Sequence, residues 1–114
     1  MSENDCVFCK IVNGEIESEV VHDEEGILAF MDIKGKAPVH MLVTPKEHVS
    51  SLEEGGKLPD SVAKRIFEVA QEVAVKMDIA GSGYTFRINN GREANQEVFH
   101  LHAHVMGGRK MGMP

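Results

Sequence analysis

Three histidines recur at alternate positions in His100-Leu101-His102-Ala103-His104, followed by Val105, Met106, Gly107 and Gly108. On a β-strand, residues i, i+2 and i+4 share one face. The pattern therefore predicts three imidazoles on one surface, with Leu101, Ala103 and Val105 turned into a core. A solvent-facing strand ordinarily carries Thr, Lys or Glu on its wet side, so this composition points to chemistry. Imidazole changes charge near neutral pH and serves as nucleophile, acid, base or metal ligand. Two chemistries fit the stretch. One is a metal site in which neutral ring nitrogens hold zinc. The other is nucleophilic catalysis, with one neutral imidazole attacking while a neighbour supplies a proton. The spacing alone does not separate them, and one strand can serve both.

The surrounding residues narrow the choice. Cys6-Val7-Phe8-Cys9 is a C-x-x-C motif, shared by zinc sites and redox dithiols. The redox form expects a βαβ neighbourhood, which the sequence does not show. A zinc site needs two further ligands, and His48 and His100 are available; two thiolates and two imidazoles make a closed, structural tetrahedron. Without metal, the two cysteines would be small buried hydrophobes. Arg87-Ile88-Asn89-Asn90-Gly91 and then Gln96-Glu97-Val98 form a polar approach to the histidines. Amides and backbone N–H groups there can hold phosphate oxygens without net charge, although an ordinary loop has the same composition. In Phe30-Met31-Asp32-Ile33 an acid ends an apolar run. Asp32 can grip ribose hydroxyls while Phe30 and Ile33 sandwich a base, or it can simply cap a turn.

The elements that must position these residues are short. Cys6 to Gly14 reads as a turn or short helix. Residues 19–22 and 26–31 read as a hairpin around Asp23-Glu24-Glu25-Gly26. His40 to Thr44 is a third strand, stopped by Pro45. Val62, Ile66, Val69, Ala70, Val73 and Met77 recur at three- and four-residue spacing, predicting a helix over 60–79. Asp60 or Ser61 is its expected cap, after Pro59, and Gly81 and Gly83 its end. Tyr84 to Asn89 is a fourth strand and residues 99–106 the fifth. The expected fold is α+β: a five-stranded antiparallel sheet, one main helix on one face and the histidines on the other.

At 114 residues the chain is read as one domain spanning 1–114. Its formal charge of −6 argues against nucleic-acid partners, which need a cationic surface. No run is long enough for a membrane span. The acidic start leads into no apolar segment, so the cytoplasm is the expected compartment and the thiols are expected to be reduced or metal-bound.

In this order, Cys6-Val7-Phe8-Cys9-Lys10-Ile11, Phe30-Met31-Asp32-Ile33, the block from Ala37 to His48 (Ala-Pro-Val-His…Pro-Lys-Glu-His), Asn89, and the run from Gln96 to Arg109 resemble the histidine-triad (HIT) superfamily. The likeness is greatest to its nucleotide-binding branch of small phosphoramidases and covers nearly the whole chain. The resemblance implies hydrolysis of purine nucleoside 5′-phosphoramidates through a covalent nucleotidyl-histidine on His102, with His104 near the leaving group. It implies Asp32 on the ribose, Phe8, Ile11, Phe30 and Ile33 around the base, and Asn89, Asn95, Gln96 and Glu97 at the phosphate. It further implies a structural zinc on Cys6, Cys9, His48 and His100, nucleotides such as AMP or GMP as ligands, and a homodimer with joined sheets. The chain departs from that branch at Glu97, often Ser, at Asn95, often Gly, and in its short Gly112-Met113-Pro114 tail. A carboxylate at Glu97 would favour a cationic amine as leaving group. The alternatives are a dinucleoside polyphosphate hydrolase and a zinc-stabilised nucleotide- or partner-binding module with incidental catalysis.

Overall fold

The computed structural model describes residues 5–112; residues 1–4 of the N-terminal stretch and Met113 and Pro114 of the tail lie outside them. In chain order the elements are α1 (Val7–Val12), β1 (Val20–Glu24), β2 (Ile27–Met31), β3 (Val39–Pro45), α2 (Asp60–Lys76), β4 (Tyr84–Arg87) and β5 (Ala103–Gly107). Two single 3₁₀ segments, Leu52–Lys57 and Arg92–Ala94, were not legible from hydrophobic period. The strands form one sheet in the order β1-β2-β3-β5-β4, every pairing antiparallel. The expected α+β architecture with five antiparallel strands is what the chain adopts.

The helical stripe works as its period predicts. Ile66, Val69, Ala70 and Val73 bury against Ile27, Ala29, Met41 and Val43 of the sheet, with Leu101, Ala103 and Val105 completing the core. The other sheet face is also covered. There Cys6, Phe8 and Cys9, from α1 and its N-cap, pack on Leu28, Phe30 and Leu42 in a second small core. The histidine surface is therefore a roofed layer rather than an open face.

The boundaries differ from the sequence expectation for local reasons. Neither Asp60 nor Ser61 caps α2. Pro59 holds the N-cap position with an extended ψ of 144°, and no side-chain cap bond is made. Its carbonyl accepts the Val62 and Ala63 N–H groups, so the turn starts without a side chain. The helix stops at Lys76, ahead of Gly81, because Asp78 takes a left-handed φ of 60°. In the first hairpin Asp23 and Glu24 stay in the strand, and Glu25 and Gly26 make the turn, with Gly26 at a φ of 90°. Residues Ile88 and Asn89 lie beyond β4.

The main correction concerns the fifth strand, which begins at Ala103 rather than near Phe99. β3 pairs with β5 only from Val43 opposite Ala103 to Val39 opposite Gly107. Beyond that point β3 offers Thr44, whose hydroxyl bonds the Leu101 carbonyl at 2.8 Å, and Pro45. Proline has no N–H for a ladder, and its carbonyl already accepts His100 Nε2 at 2.7 Å. Pairing stops, yet the alternation of faces persists: Leu101, Ala103 and Val105 all enter the helix-side core.

A candidate active site beside a cysteine–histidine cluster

The three motif histidines divide between two sites. His100 is fully buried. Its Nδ1 lies 3.3 Å from Cys6 Sγ and 3.5 Å from Cys9 Sγ, and His48 Nδ1 lies 3.3 Å from Cys9 Sγ. All four ligand atoms fall within 4.8 Å of one another. Zinc at the usual Zn–S and Zn–N lengths gives tetrahedral S···N edges of about 3.5 Å, so the spacing suits such an ion. The surroundings match as well. His100 donates its Nε2–H to the Pro45 carbonyl, which leaves Nδ1 as a lone pair facing the thiols. Cys6 caps α1, its sulfur accepting the Cys9 N–H at 3.3 Å. One sulfur therefore serves both as the cap of the short helix and as a member of the cluster.

His102 and His104 face a different environment. His102 is 7% exposed, its ring edge-on to Phe8 with centroids 4.9 Å apart. Its Nδ1 lies 2.7 Å from the His100 carbonyl. A carbonyl only accepts, so Nδ1 carries the hydrogen and Nε2 keeps a free lone pair. His104 Nδ1 lies 2.9 Å from His40 Nε2. The proton on that contact is also determined. His40 Nδ1 accepts the Lys36 backbone N–H at 3.0 Å, so a neutral His40 must carry its hydrogen on Nε2 and give it to His104 Nδ1. His104 then presents an Nε2–H. One imidazole thus offers a lone pair and its neighbour offers a donor.

His40, 3% exposed, was missed as a functional residue from sequence. The available signal was the two-residue period of β3. Met41 and Val43 point to the main core and Leu42 to the second, so His40 shares the histidine face. Asp32 lies close by, its Oδ2 3.6 Å from His40 Nε2, and its Oδ1 accepts the Lys34 N–H at 2.9 Å. Asp32, His40 and His104 are near enough to resemble a cation site. The His40 tautomer opposes that role, because the nitrogen facing His104 bears hydrogen and has no lone pair to give.

The remaining candidate residues are placed as follows. Phe8 and Phe30 meet edge-on at 5.4 Å inside the second core, with Ile11 packed beside them. Ile33 stands 89% exposed just after Asp32. Asn89 donates to the Ala94 carbonyl, and Asn95 takes a left-handed φ of 63°. Gln96 is buried and spends its amide within the loop: Oε1 accepts the Gly91 N–H and Nε2 donates to the Ser50 and Val98 carbonyls. It shapes the loop in front of the histidines. Glu97 is exposed.

Burial sets the charge state. Desolvation is the largest influence on His40, His102 and His104, and it pushes all three below the ordinary imidazole value. Asp32 pulls the other way and loses. His104 is driven furthest, to about 4, by burial and then by the charges His102 and His40 would carry. At neutral pH all three rings are uncharged, the state a nitrogen nucleophile requires.

Comparison with known proteins defines the class. The whole chain superposes on a HIT family hydrolase from Clostridium thermocellum with TM-score 0.90 at 39% identity, covering 99% of this chain and 98% of that one. The chain belongs to the HIT domain family, whose domain matches residues 13–111. It is 34% identical over 106 residues to the purine nucleoside phosphoramidase of Escherichia coli, covering 93% of this chain and 89% of that protein. A zinc-bound histidine triad family protein from Mycobacterium smegmatis superposes with TM-score 0.82 at 31% identity, covering 96% of this chain and 78% of that one. The expectations of a histidine-triad protein and of a hydrolase are borne out. Among the described residues no helix is long and apolar enough to cross a membrane.

The neutral rings make stability pH-dependent. Between pH 6.5 and about 4 an unfolded chain binds a proton at position 104 that the folded chain does not. Stability is therefore fully present above 6.5 and falls as the pH drops toward 4, with His40 and His102 acting in the same direction. Thermal melts from neutral to acid pH should show Tm declining through this window, less steeply in His104→Gln. An equal slope in the two proteins would mean that His104 titrates freely in the fold.

Proposed function

We propose that this HIT family hydrolase cleaves purine nucleoside 5′-phosphoramidates, releasing AMP or GMP, with His102 as nucleophile. The observation that carries the reading is the pair of fixed tautomers: a lone pair on His102 Nε2 and an N–H on His104 Nε2. Nε2 attacks phosphorus, the P–N bond breaks, and its electron pair leaves on nitrogen. His104 donates a hydrogen bond to the departing nitrogen, and a solvent proton completes the amine. Water then attacks the nucleotidyl-histidine, its proton passes to solvent, and Nε2 recovers its lone pair as the nucleoside monophosphate departs. Throughout, Nδ1–H of His102 stays on the His100 carbonyl, which steadies the cationic ring of the intermediate. The likeness to the Escherichia coli purine nucleoside phosphoramidase supports the substrate class. Asp32 would hold the ribose through Oδ2, and the loop braced by Gln96 would carry Asn89, Asn95 and Glu97 toward the phosphate.

His102→Ala should lose covalent nucleotidylation and at least about a thousandfold in turnover of adenosine phosphoramidate. Near-normal rates in this variant would remove His102 from the mechanism.

The same reading gives Cys6, Cys9, His48 and His100 a zinc ion, supported by the spacing above and by the zinc-bound Mycobacterium smegmatis relative. Bound there, the metal would brace the chain on either side of the site and contribute to folding rather than to the reaction. Purified protein should hold about one zinc per chain, and chelation should lower Tm. Protein never exposed to chelator and free of zinc would refute the assignment.

A homodimer completes the reading. β4 lies at the edge of the sheet, and beside it Phe67, 66% exposed, stacks on Phe86 with centroids 5.4 Å apart. An apolar patch beside an unpaired edge is suited to a second copy. Light scattering should give twice the chain mass, and Phe67→Asp should halve it; an unchanged mass in the variant would place the interface elsewhere.

A further inference from the structure

Lys36 and Arg109 lie on the His104 side of the site, with Lys34 exposed two residues before Lys36 in the same loop. Lys34 and Lys36 flank Gly35 in the loop after β2, and Arg109 follows the Gly107-Gly108 end of β5. Arg109 Nη2 donates to the Lys36 carbonyl at 2.8 Å and so joins the two segments. The Lys36 N–H bonds His40, and His40 bonds His104, so the Lys36 backbone is two hydrogen bonds from the donor ring.

Two close approaches bring these segments in. A Cβ on Gly35 would sit 2.9 Å from His40 Cβ and 3.1 Å from the Asp32 carbonyl oxygen. Only glycine lets the backbone settle this tightly on His40. Gly108 has φ at 95°, and a Cβ there would lie 2.9 Å from Pro38 Cβ. Among the described residues no ion pair holds Lys34, Lys36 or Arg109, as none holds several other surface cations, so their charges are left to solvent or a ligand. In a chain of −6 net charge this is a local reversal of sign. The Lys36 charge acts on both His40 and His104 but is not among those acting on His102. It therefore lies toward the donor side of the site.

We propose that Lys34, Lys36 and Arg109 form a leaving-group subsite that takes an oxyanion, a carboxylate or a phosphate, carried by the group that departs from phosphorus. The proposal rests on the phosphoramidase reading and reverses the sequence expectation of a cationic leaving amine selected by Glu97. Glu97 is exposed, and the charges that act on His104 are those of Asp32, Lys36 and the neighbouring rings.

Two measurements test it. The first compares kcat/KM for AMP linked through P–N to aspartate with that for AMP linked to asparagine. Wild type should favour the aspartate compound. The ratio should fall about threefold for each cation removed in Lys36→Gln and Arg109→Gln, the scale of one exposed ion pair, and persist in Lys36→Arg. Added salt should compress it. The second measures ADP against AMP binding in His102→Ala, where turnover is absent, because the β-phosphate occupies the leaving-group position. Cation dependence in the first comparison identifies a carboxylate, in the second a phosphate, and either supports the subsite. It is overturned if neither ratio changes in the variants, or if both ligands of each pair weaken equally, which would put the cations on the α-phosphate. No turnover of either compound would defeat the phosphoramidase reading alone, since the binding comparison still decides the subsite.

Discussion

One backbone carbonyl, that of His100, organises the site. It accepts the Nδ1–H of His102 at 2.7 Å and so fixes which nitrogen of that ring keeps its lone pair. The carbonyl is itself held in place by its own side chain, which is locked between the two thiols and the Pro45 carbonyl. A buried neutral imidazole with either tautomer open to it would spend part of its time with the wrong nitrogen protonated. Here the wrong tautomer would oppose a lone pair to a carbonyl oxygen and leave a buried acceptor unsatisfied, at a cost of about 1–3 kcal/mol. That is a bias of roughly fivefold to a hundredfold. The cysteine–histidine cluster thus acts on His102 through Nδ1 and leaves its Nε2 untouched.

The electrostatics follow from burial rather than from net charge. The chain is acidic, which by itself would favour protonated imidazoles. Yet His40, His102 and His104 are all held neutral, because taking a cation out of water outweighs the pull of Asp32, the acid that acts on all three. Asp32 is further weakened as a counter-ion by the Lys34 N–H on its Oδ1. Three neutral rings in contact do not repel, so they can stand 5.0 to 5.2 Å apart between centroids. If any one were charged, the others would be driven further from protonation, which stabilises the neutral set against modest acidification.

Much of this was legible in the sequence. Period two placed Leu101, Ala103 and Val105 in the core, and period 3.6 found α2, because each pattern is a direct record of one buried face. The Cys6, Cys9, His48 and His100 set could be assembled from residue chemistry alone. What escaped notice has physical causes. His40 looked like an ordinary strand residue because its meaning depends on a single bond from Lys36, four residues earlier in a loop with no periodic signal. The start of β5 was misplaced because the sequence of β5 is regular, and the ladder fails only where its partner reaches Pro45. The cap of α2 was misread because a proline's fixed geometry replaced the side-chain bond that Asp60 or Ser61 would have made.

The alternation of the motif is best understood as a register constraint. Sheet side chains repeat every two residues, so a slip of one position would send all three histidines into the helix-side core and expose Leu101, Ala103 and Val105 to the polar layer. The small residue between the two rings of the candidate active site, Ala103, sits 1% exposed against α2. A larger residue there would push on the helix, and a polar one would be buried without a partner. The imidazole-bearing side of the chain is therefore positioned by the apolar side. His102 and His104 stand where they do because their neighbours are committed to the opposite face, while Pro45, by ending the ladder, frees His100 to turn toward the cysteines. Strand pairing holds the donor ring and an interrupted strand holds the lone-pair ring, so the two nitrogens face a common space from differently anchored backbone.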